Sequence, residues 1–232
     1  MGELLLIRHG QASFGAADYD RLSPAGEQQS RRLGAWLRDS VEPPALIASG
    51  TLRRHAQTLQ QCVEAAGVDA ARLVLPGLDE LDHVELLKRH RPDLASHAAL
   101  SAELARSDDP QRAFQKIFAA AVARWTGGAH DGDYARSWPD FRAQALAALQ
   151  ALAGRAAAGA GDIWAFTSGG PIAVIVTELL GAPVARTFAL SWPLVNTGLT
   201  RVRLGPRQHQ LITYNAWPHL AGTAHAGLVT HR

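Results

Sequence analysis

The sequence has very little sulfur, with one cysteine and one methionine among its 232 residues. Because Cys62 has no second cysteine to pair with, an intramolecular disulfide is excluded. Proteins of a reducing compartment typically lack disulfides. Long apolar runs are also missing, since the first run, Leu4 to Ile7, is much shorter than a signal-peptide core or a membrane span. We therefore expect a cytoplasmic protein with no membrane partner.

An excess of charge of one sign is missing too. Lysine and arginine number 23 against 21 acidic residues, a formal net charge of +2. Nucleic-acid binding needs a concentrated basic stripe, and the basic clusters at 31–32, 53–54 and 88–91 are short and scattered. We expect no nucleic-acid partner.

Motifs for metals and dinucleotides are absent from the sequence as well. There is no His-Glu-x-x-His or paired-cysteine motif, and the glycines of 154–161 do not form Gly-x-Gly-x-x-Gly after a strand. His83, His90 and His97 recur every seven residues, which we interpret as a solvated helical face. We expect neither a metal nor another cofactor.

What the sequence does contain is an alternation of short apolar runs with amphipathic segments. The runs have strand length and fall at 4–7, 45–48, 73–75, 163–166, 199–204 and 210–214. Segments of helical character begin near Pro24, Thr51, Phe114, Ser137 and Ile172. This alternation predicts an α/β sandwich around a mostly parallel sheet, with functional residues at the carboxyl ends of its strands.

One long stretch has no strand-like run. From about Val84 to Ser137 the chain is polar and charged, and we interpret about 84–137 as a helical cap insertion in a single domain of residues 1–232. The residues from Ala221 to Arg232 have little periodicity, which predicts a loose tail. Asn215 and His219 could approach the strand ends, an expectation that rests on their polarity alone.

Three predicted strand ends carry residues suited to binding an anion. Arg8-His9-Gly10 follows the first strand, Ser49-Gly50 leads to Arg54, and Thr167-Ser168-Gly169-Gly170 precedes an apolar helix. Guanidinium groups bind phosphate bidentately, and free N–H groups at a helix start add donors. A histidine in such a site is either a nucleophile or a general base.

Taken in order, these motifs resemble the histidine phosphatase superfamily, also called phosphoglycerate mutase-like, over nearly the whole chain. Leu6 to Gly10 is similar to the family's N-terminal signature, and Leu22 to Gly26 to its next segment. Ser49 to Thr58 matches its Ser…Leu-x-Arg-x-x-Gln-Thr block, and Leu78-Asp79-Glu80 its Leu-x-Glu segment. The resemblance implies a three-layer α/β/α sandwich.

The resemblance also implies roles for individual residues. His9 would accept the phosphoryl group, Arg8 and Arg54 would bind phosphate, and Glu80 would donate the proton. Ser168 and the backbone N–H groups of Gly169 and Gly170 would complete the phosphate site. The implied protein is a phosphatase that hydrolyses a small phosphomonoester through a phosphohistidine, without a metal, because the arginines supply the positive charge.

Two departures from the family pattern keep alternatives open. Ser168 stands where the family normally has a second histidine, and the loss of one such donor typically costs ~10²- to 10³-fold in rate. A weakly active or inactive phosphate-binding protein is therefore one alternative. Gly15 stands where mutase-type members carry asparagine, which argues against the other alternative, a phosphoglycerate mutase-type isomerase.

Simpler interpretations exist for some of these polar residues. Arg53 and His55 are predicted to lie on a solvated helix face, and Ser168 before two glycines could be an ordinary helix N-cap. A serine hydrolase is disfavoured, because its nucleophile elbow needs glycine where the sequence has Phe166. Neither the substrate nor the oligomeric state follows from the sequence.

Overall fold

The computed structural model describes residues 2–13 and 20–231, so Gly15 lies outside the described residues. The chain forms two compact units. The first combines Met1–Glu80 with Gln144–Arg232, and the second is Leu81–Ala143.

The first unit is built on a six-stranded sheet. Its strands are β1 (Gly2–Arg8), β2 (Leu46–Ser49), β3 (Ala71–Val74), β4 (Ile163–Thr167), β5 (Leu199–Leu204) and β6 (Gln210–Ala216), in the order β3-β2-β4-β1-β5-β6. The first four strands of that order pair in parallel, whereas β5 is antiparallel to β1 and β6 to β5. The predicted sandwich with a mostly parallel sheet is confirmed.

Helices cover both faces of this sheet, which makes the unit a three-layer sandwich. They are α1 (Pro24–Ser40), α2 (Arg53–Ala66), part of α6 (Trp138–Arg155), α7 (Gly169–Leu179) and α8 (Thr187–Ser191). Successive side chains of a strand point to opposite faces, so Leu5 and Ile7 pack with α1 and α2 while Leu4 and Leu6 pack with α6 and α7. No helix of the described chain is both long and apolar enough to cross a membrane.

The start of α1 follows from its sequence. The Ser23 hydroxyl accepts a hydrogen bond from the backbone N–H of Gly26 at 3.1 Å, and proline occupies the first helical position. This helix start lies beside the loop that follows β1, since the Gln11 backbone N–H donates to the side-chain oxygen of Gln29 at 2.8 Å. The loop that carries His9 is therefore held against α1.

The second unit is helical. It contains α3 (His83–His90), α4 (His97–Leu104), α5 (Pro110–Thr126) and the first turns of α6. Its core gathers around Trp125, whose ring lies 5.3 Å from that of Trp138 and 5.4 Å from that of Phe141, centroid to centroid. Asp82 caps α3 by accepting from two backbone N–H groups, each at 3.0 Å. This unit is somewhat longer than the range 84–137 assigned from the sequence.

The C-terminal segment packs on the first unit, so the prediction of a loose tail was wrong. The backbone N–H of Asn196 donates to the carbonyl of Thr230 at 2.8 Å, and the Thr230 hydroxyl donates to the Asn196 side chain at 2.9 Å. The Gln29 amide donates to Leu228 and to Thr230. Buried polar side chains need such partners. An apolar periodicity does not reveal contacts of this kind.

Candidate active site

Strand register brings the predicted site residues to one edge of the sheet. Arg8, the last residue of β1, pairs with Thr167, the last residue of β4. Ser49, the last residue of β2, pairs with Phe166. The segments that follow these three parallel strands therefore begin side by side.

His9 follows β1 directly, and its ring nitrogens have different partners. Nδ1 lies 2.7 Å from the carbonyl oxygen of Gly10, which can only accept, so Nδ1 carries the hydrogen. Nε2 is left with its lone pair, and it accepts a hydrogen bond from Nε of Arg54 at 3.2 Å. The His9 side chain is almost fully buried.

Burial and neighbouring charge keep the His9 ring neutral. The pKa of His9 lies well below its ordinary value, mainly because burial penalises the charged form and also because Arg54 and Arg8 are close. A neutral imidazole with an unprotonated Nε2 is the nucleophilic form of histidine.

Arg54 is fixed in the first turn of α2. Its guanidinium is buried, and one nitrogen lies 2.7 Å from a carboxylate oxygen of Asp20. The other oxygen of Asp20 accepts from the backbone N–H of Arg53 at 2.7 Å. Sequence reasoning missed Asp20, because no motif or periodicity marks this residue as the partner of a helix start more than thirty residues away.

Arg8 directly precedes His9 in the sequence. Its guanidinium contacts two backbone carbonyl groups. Its guanidinium donates to Leu194 and, at 3.1 and 3.2 Å, to His231. A carbonyl oxygen is an uncharged acceptor, so a phosphate oxygen can compete for these donors. The C-terminal segment thus reaches the predicted phosphate ligand.

The start of α7 lies against Arg8. A Cβ at Gly169 would be 3.0 Å from the hydroxyl of Ser191 and 3.8 Å from Nε of Arg8, so the glycine allows a close approach. The backbone N–H of Gly170 donates to both carboxylate oxygens of Glu80, at 3.1 and 3.3 Å. The Gly170 N–H, which the family resemblance assigned to the phosphate site, is therefore engaged by Glu80 in this structure.

Ser168 occupies the N-cap position of α7 but does not cap the helix with its side chain. Its hydroxyl lies 2.7 Å from Nε2 of His55, and both residues are fully buried. The prediction that His55 lies on a solvated face was wrong. His55 belongs to the buried stripe of α2 with Leu59 and Cys62, whereas its apolar neighbour Ala56 is exposed.

Asp79 is a second residue that sequence reasoning did not place. Its carboxylate accepts from the backbone N–H of Thr51 at 2.6 Å and from the Thr51 hydroxyl. One of its oxygens lies 3.7 Å from Nδ1 of His55. Burial, together with the charge of Arg54, lowers the pKa of His55 to about 3.

Asn215 and His219 contact the loop before β5. The Asn215 side chain accepts from the backbone N–H of Val195 at 2.8 Å, and Nε2 of His219 lies 2.8 Å from the hydroxyl of Thr197. Thr197 has a positive φ of 62° and donates its N–H to the carbonyl of Arg8 at 3.1 Å. These residues position the backbone of the site.

Comparisons with known proteins agree with this arrangement. The family model described as histidine phosphatase superfamily (branch 1) matches residues 4–216, whereas a comparison with curated proteins finds no match. A phosphoserine phosphatase variant from Entamoeba histolytica, solved with phosphoserine, superposes with a TM-score of 0.63 at 18% identity, over 95% of this chain and 100% of that one.

Two further solved structures share the fold. A phosphoglycerate mutase from Bacillus anthracis superposes with a TM-score of 0.63 at 14% identity, over 94% of each chain. A mycobacterial glucosyl-3-phosphoglycerate phosphatase superposes with a TM-score of 0.60 at 23% identity, over 93% of this chain and 99% of that one. Since the family model matches most of the chain, the family resemblance is confirmed, and the protein belongs to the histidine phosphatase superfamily.

Proposed function

We propose that the protein is a metal-independent phosphatase that hydrolyses a small phosphomonoester through a phosphohistidine on His9. One observation carries the proposal. The hydrogen bond from Nδ1 to the Gly10 carbonyl leaves Nε2 of a neutral, buried histidine unprotonated, with its lone pair directed at the guanidinium of Arg54, which a bound phosphoryl group would engage instead. This is the arrangement that in-line attack on phosphorus requires.

The charge near His9 suits a phosphoryl group. Arg8 and Arg54 would bind its equatorial oxygens, with Asp20 holding Arg54 in place. The N–H of Gly169 and the hydroxyl of Ser168 would donate to the same oxygens from the start of α7. Two fixed guanidinium groups provide the electrostatic stabilisation that a developing phosphoryl charge needs.

The reaction follows in two steps. Nε2 of His9 attacks phosphorus and forms the N–P bond while the P–O bond to the alcohol breaks, and Glu80 gives its proton to the leaving oxygen. The ionised Glu80 then takes a proton from water, which attacks phosphorus as the N–P bond breaks. Inorganic phosphate leaves, and His9 and Glu80 return to their starting states.

A panel of phosphomonoesters tests this proposal. We expect the purified protein to hydrolyse p-nitrophenyl phosphate and at least one metabolite ester, and His9→Ala to lower kcat/KM by about 10³-fold or more. Turnover by His9→Ala at the wild-type rate would contradict the mechanism. Isomerisation of 3-phosphoglycerate faster than its hydrolysis would instead establish a mutase.

A further inference from the structure

The site contains a second imidazole, but it comes from a different element than the family pattern implies. Ser168 follows β4, where the family normally has a histidine, and His55 approaches the same position from α2. The His55 ring lies 5.7 Å from the ring of His9, centroid to centroid, and its Nε2 lies 2.7 Å from the Ser168 hydroxyl. The imidazole of His55 therefore contacts the serine that stands at the family's histidine position.

The surroundings of His55 show a polar site that is built around it. A Cβ at Gly50 would lie 2.4 Å from Nδ1 of His55 and 2.3 Å from a carboxylate oxygen of Asp79, so only glycine leaves these groups room to face each other. Thr51 fixes that carboxylate with its N–H and its hydroxyl. The His55 ring is thus held between Asp79 and Ser168.

The contacts of the His55 ring limit where its hydrogen can lie. The 2.7 Å contact at Nε2 is a hydrogen bond, whereas the 3.7 Å separation of Nδ1 from Asp79 is too long for one. Nδ1 has no hydrogen-bond partner among the described residues, so either tautomer leaves this nitrogen unpaired. Because a hydroxyl can both donate and accept, Ser168 satisfies Nε2 in either tautomer, and an anion that accepts from the Ser168 hydroxyl requires the hydrogen to be on Nε2.

We propose that His55 is a positioning residue that supplies the second imidazole of the site through the hydroxyl of Ser168. This inference rests on the proposed phosphatase function. When Nε2 of His55 donates to the Ser168 oxygen, the single hydroxyl hydrogen of Ser168 is left for a phosphoryl oxygen bound at His9. The serine then acts as a polarised donor instead of an isolated hydroxyl.

A set of swapped variants tests the proposal, with turnover of p-nitrophenyl phosphate and affinity for inorganic phosphate as the two measurements. We expect His55→Ala and Ser168→Ala each to lower kcat/KM by about 10²-fold. The double variant should be no worse than either single variant, because the two side chains act as one donor. His55→Gln keeps an N–H donor, and we expect it to stay within about tenfold of the wild type.

The decisive experiment moves the histidine from position 55 to position 168. Ser168→His alone should not raise activity, because the new ring would overlap the buried ring of His55. His55→Ala combined with Ser168→His should recover at least about tenfold over His55→Ala, since the imidazole then stands at the strand end. Thermal unfolding shows whether each variant folds. His97→Ala, which removes an exposed histidine, is the matched control.

Several outcomes would overturn the proposal. They are independent, additive losses for His55→Ala and Ser168→Ala, a large gain from Ser168→His alone, and a phosphoryl label found on Ser168, which would make the serine a nucleophile. If the wild type hydrolyses no phosphomonoester, the proposed function fails on its own. The affinity for inorganic phosphate then still decides the role of His55, because an unchanged affinity in His55→Ala contradicts it.

Discussion

At the scale of single residues, the chemistry depends on how hydrogen bonds divide the two nitrogens of His9. The Gly10 carbonyl takes the hydrogen of Nδ1, and Nε2 faces the guanidinium of Arg54. The backbone of His9 is fixed as well, since its N–H donates to Thr167 at 2.9 Å and its carbonyl accepts from the Asn196 amide at 3.1 Å. The nucleophile is therefore oriented before a substrate binds, which is the condition for efficient transfer.

The carboxylate of Glu80 is held at the start of α7 by the N–H of Gly170. A single substitution tests its role as the proton donor. We expect Glu80→Gln to lower kcat by about 10²- to 10⁴-fold for an alkyl phosphate, whose leaving oxygen needs a proton. The loss should be much smaller for p-nitrophenyl phosphate, whose leaving group is stable as an anion. Steady-state kinetics with the two esters measure the difference, and equal losses for both would rule out Glu80 as the proton donor.

At the scale of elements, the site depends on segments that are far apart in the sequence. The ends of β1, β2 and β4 provide the backbone of the site, and the segment before β5 exchanges hydrogen bonds with the C-terminal residues. Thr230 joins these parts, since it contacts both Gln29 of α1 and the buried Asn196. The C-terminal segment around Thr230 therefore helps to hold these parts of the site together.

Thr230→Ala tests that contribution. The change leaves the Asn196 oxygen and one N–H of Gln29 without their partner, and we expect it to lower the free energy of unfolding by about 1–3 kcal/mol. For a chain of this size the melting temperature should fall by several degrees. Thr223→Ala, at an exposed position of the same segment, is the control. Equal melting temperatures for the two variants would show that the segment does not stabilise the fold.

Most of the elements could be predicted from the sequence, because strand-length apolar runs and the Ser23-Pro24 helix start are local signals. The position of His55 in α2 could not be predicted in this way. Apolarity favours its neighbour Ala56 for the buried face, whereas the fold buries His55 and gives it a hydrogen-bond partner more than a hundred residues away. Asp20 and the C-terminal segment were missed for the same reason, since long-range polar contacts have no periodicity.

At the scale of the whole molecule, several buried histidines stay neutral in the folded state. Burial lowers the pKa of His219 to about 4 and that of His55 to about 3, and it holds that of His9 well below its ordinary value. In the unfolded chain each of them titrates near pH 6.5. Between these values the unfolded state binds more protons than the folded state, so acid favours unfolding.

Stability should therefore be fully present above about pH 6.5 and should decline as the pH falls toward 4. Each of the three histidines contributes up to about 1.4 kcal/mol per pH unit in this range. Urea unfolding at pH 7.5 and 5.5 measures the decline, which should be roughly one third smaller in His219→Gln. A free energy of unfolding that does not change between these two pH values would contradict the burial of neutral histidines.

The central claim is that phosphate passes through His9, and trapping of the phosphoenzyme tests it most directly. The protein is mixed with a phosphomonoester, quenched within milliseconds at alkaline pH, where phosphohistidine survives, and mapped by peptide mass spectrometry. We predict one phosphoryl group on the peptide that contains His9, with none in His9→Ala. A phosphoryl group on another residue, or steady turnover with no labelled His9 at any quench time, would contradict the account.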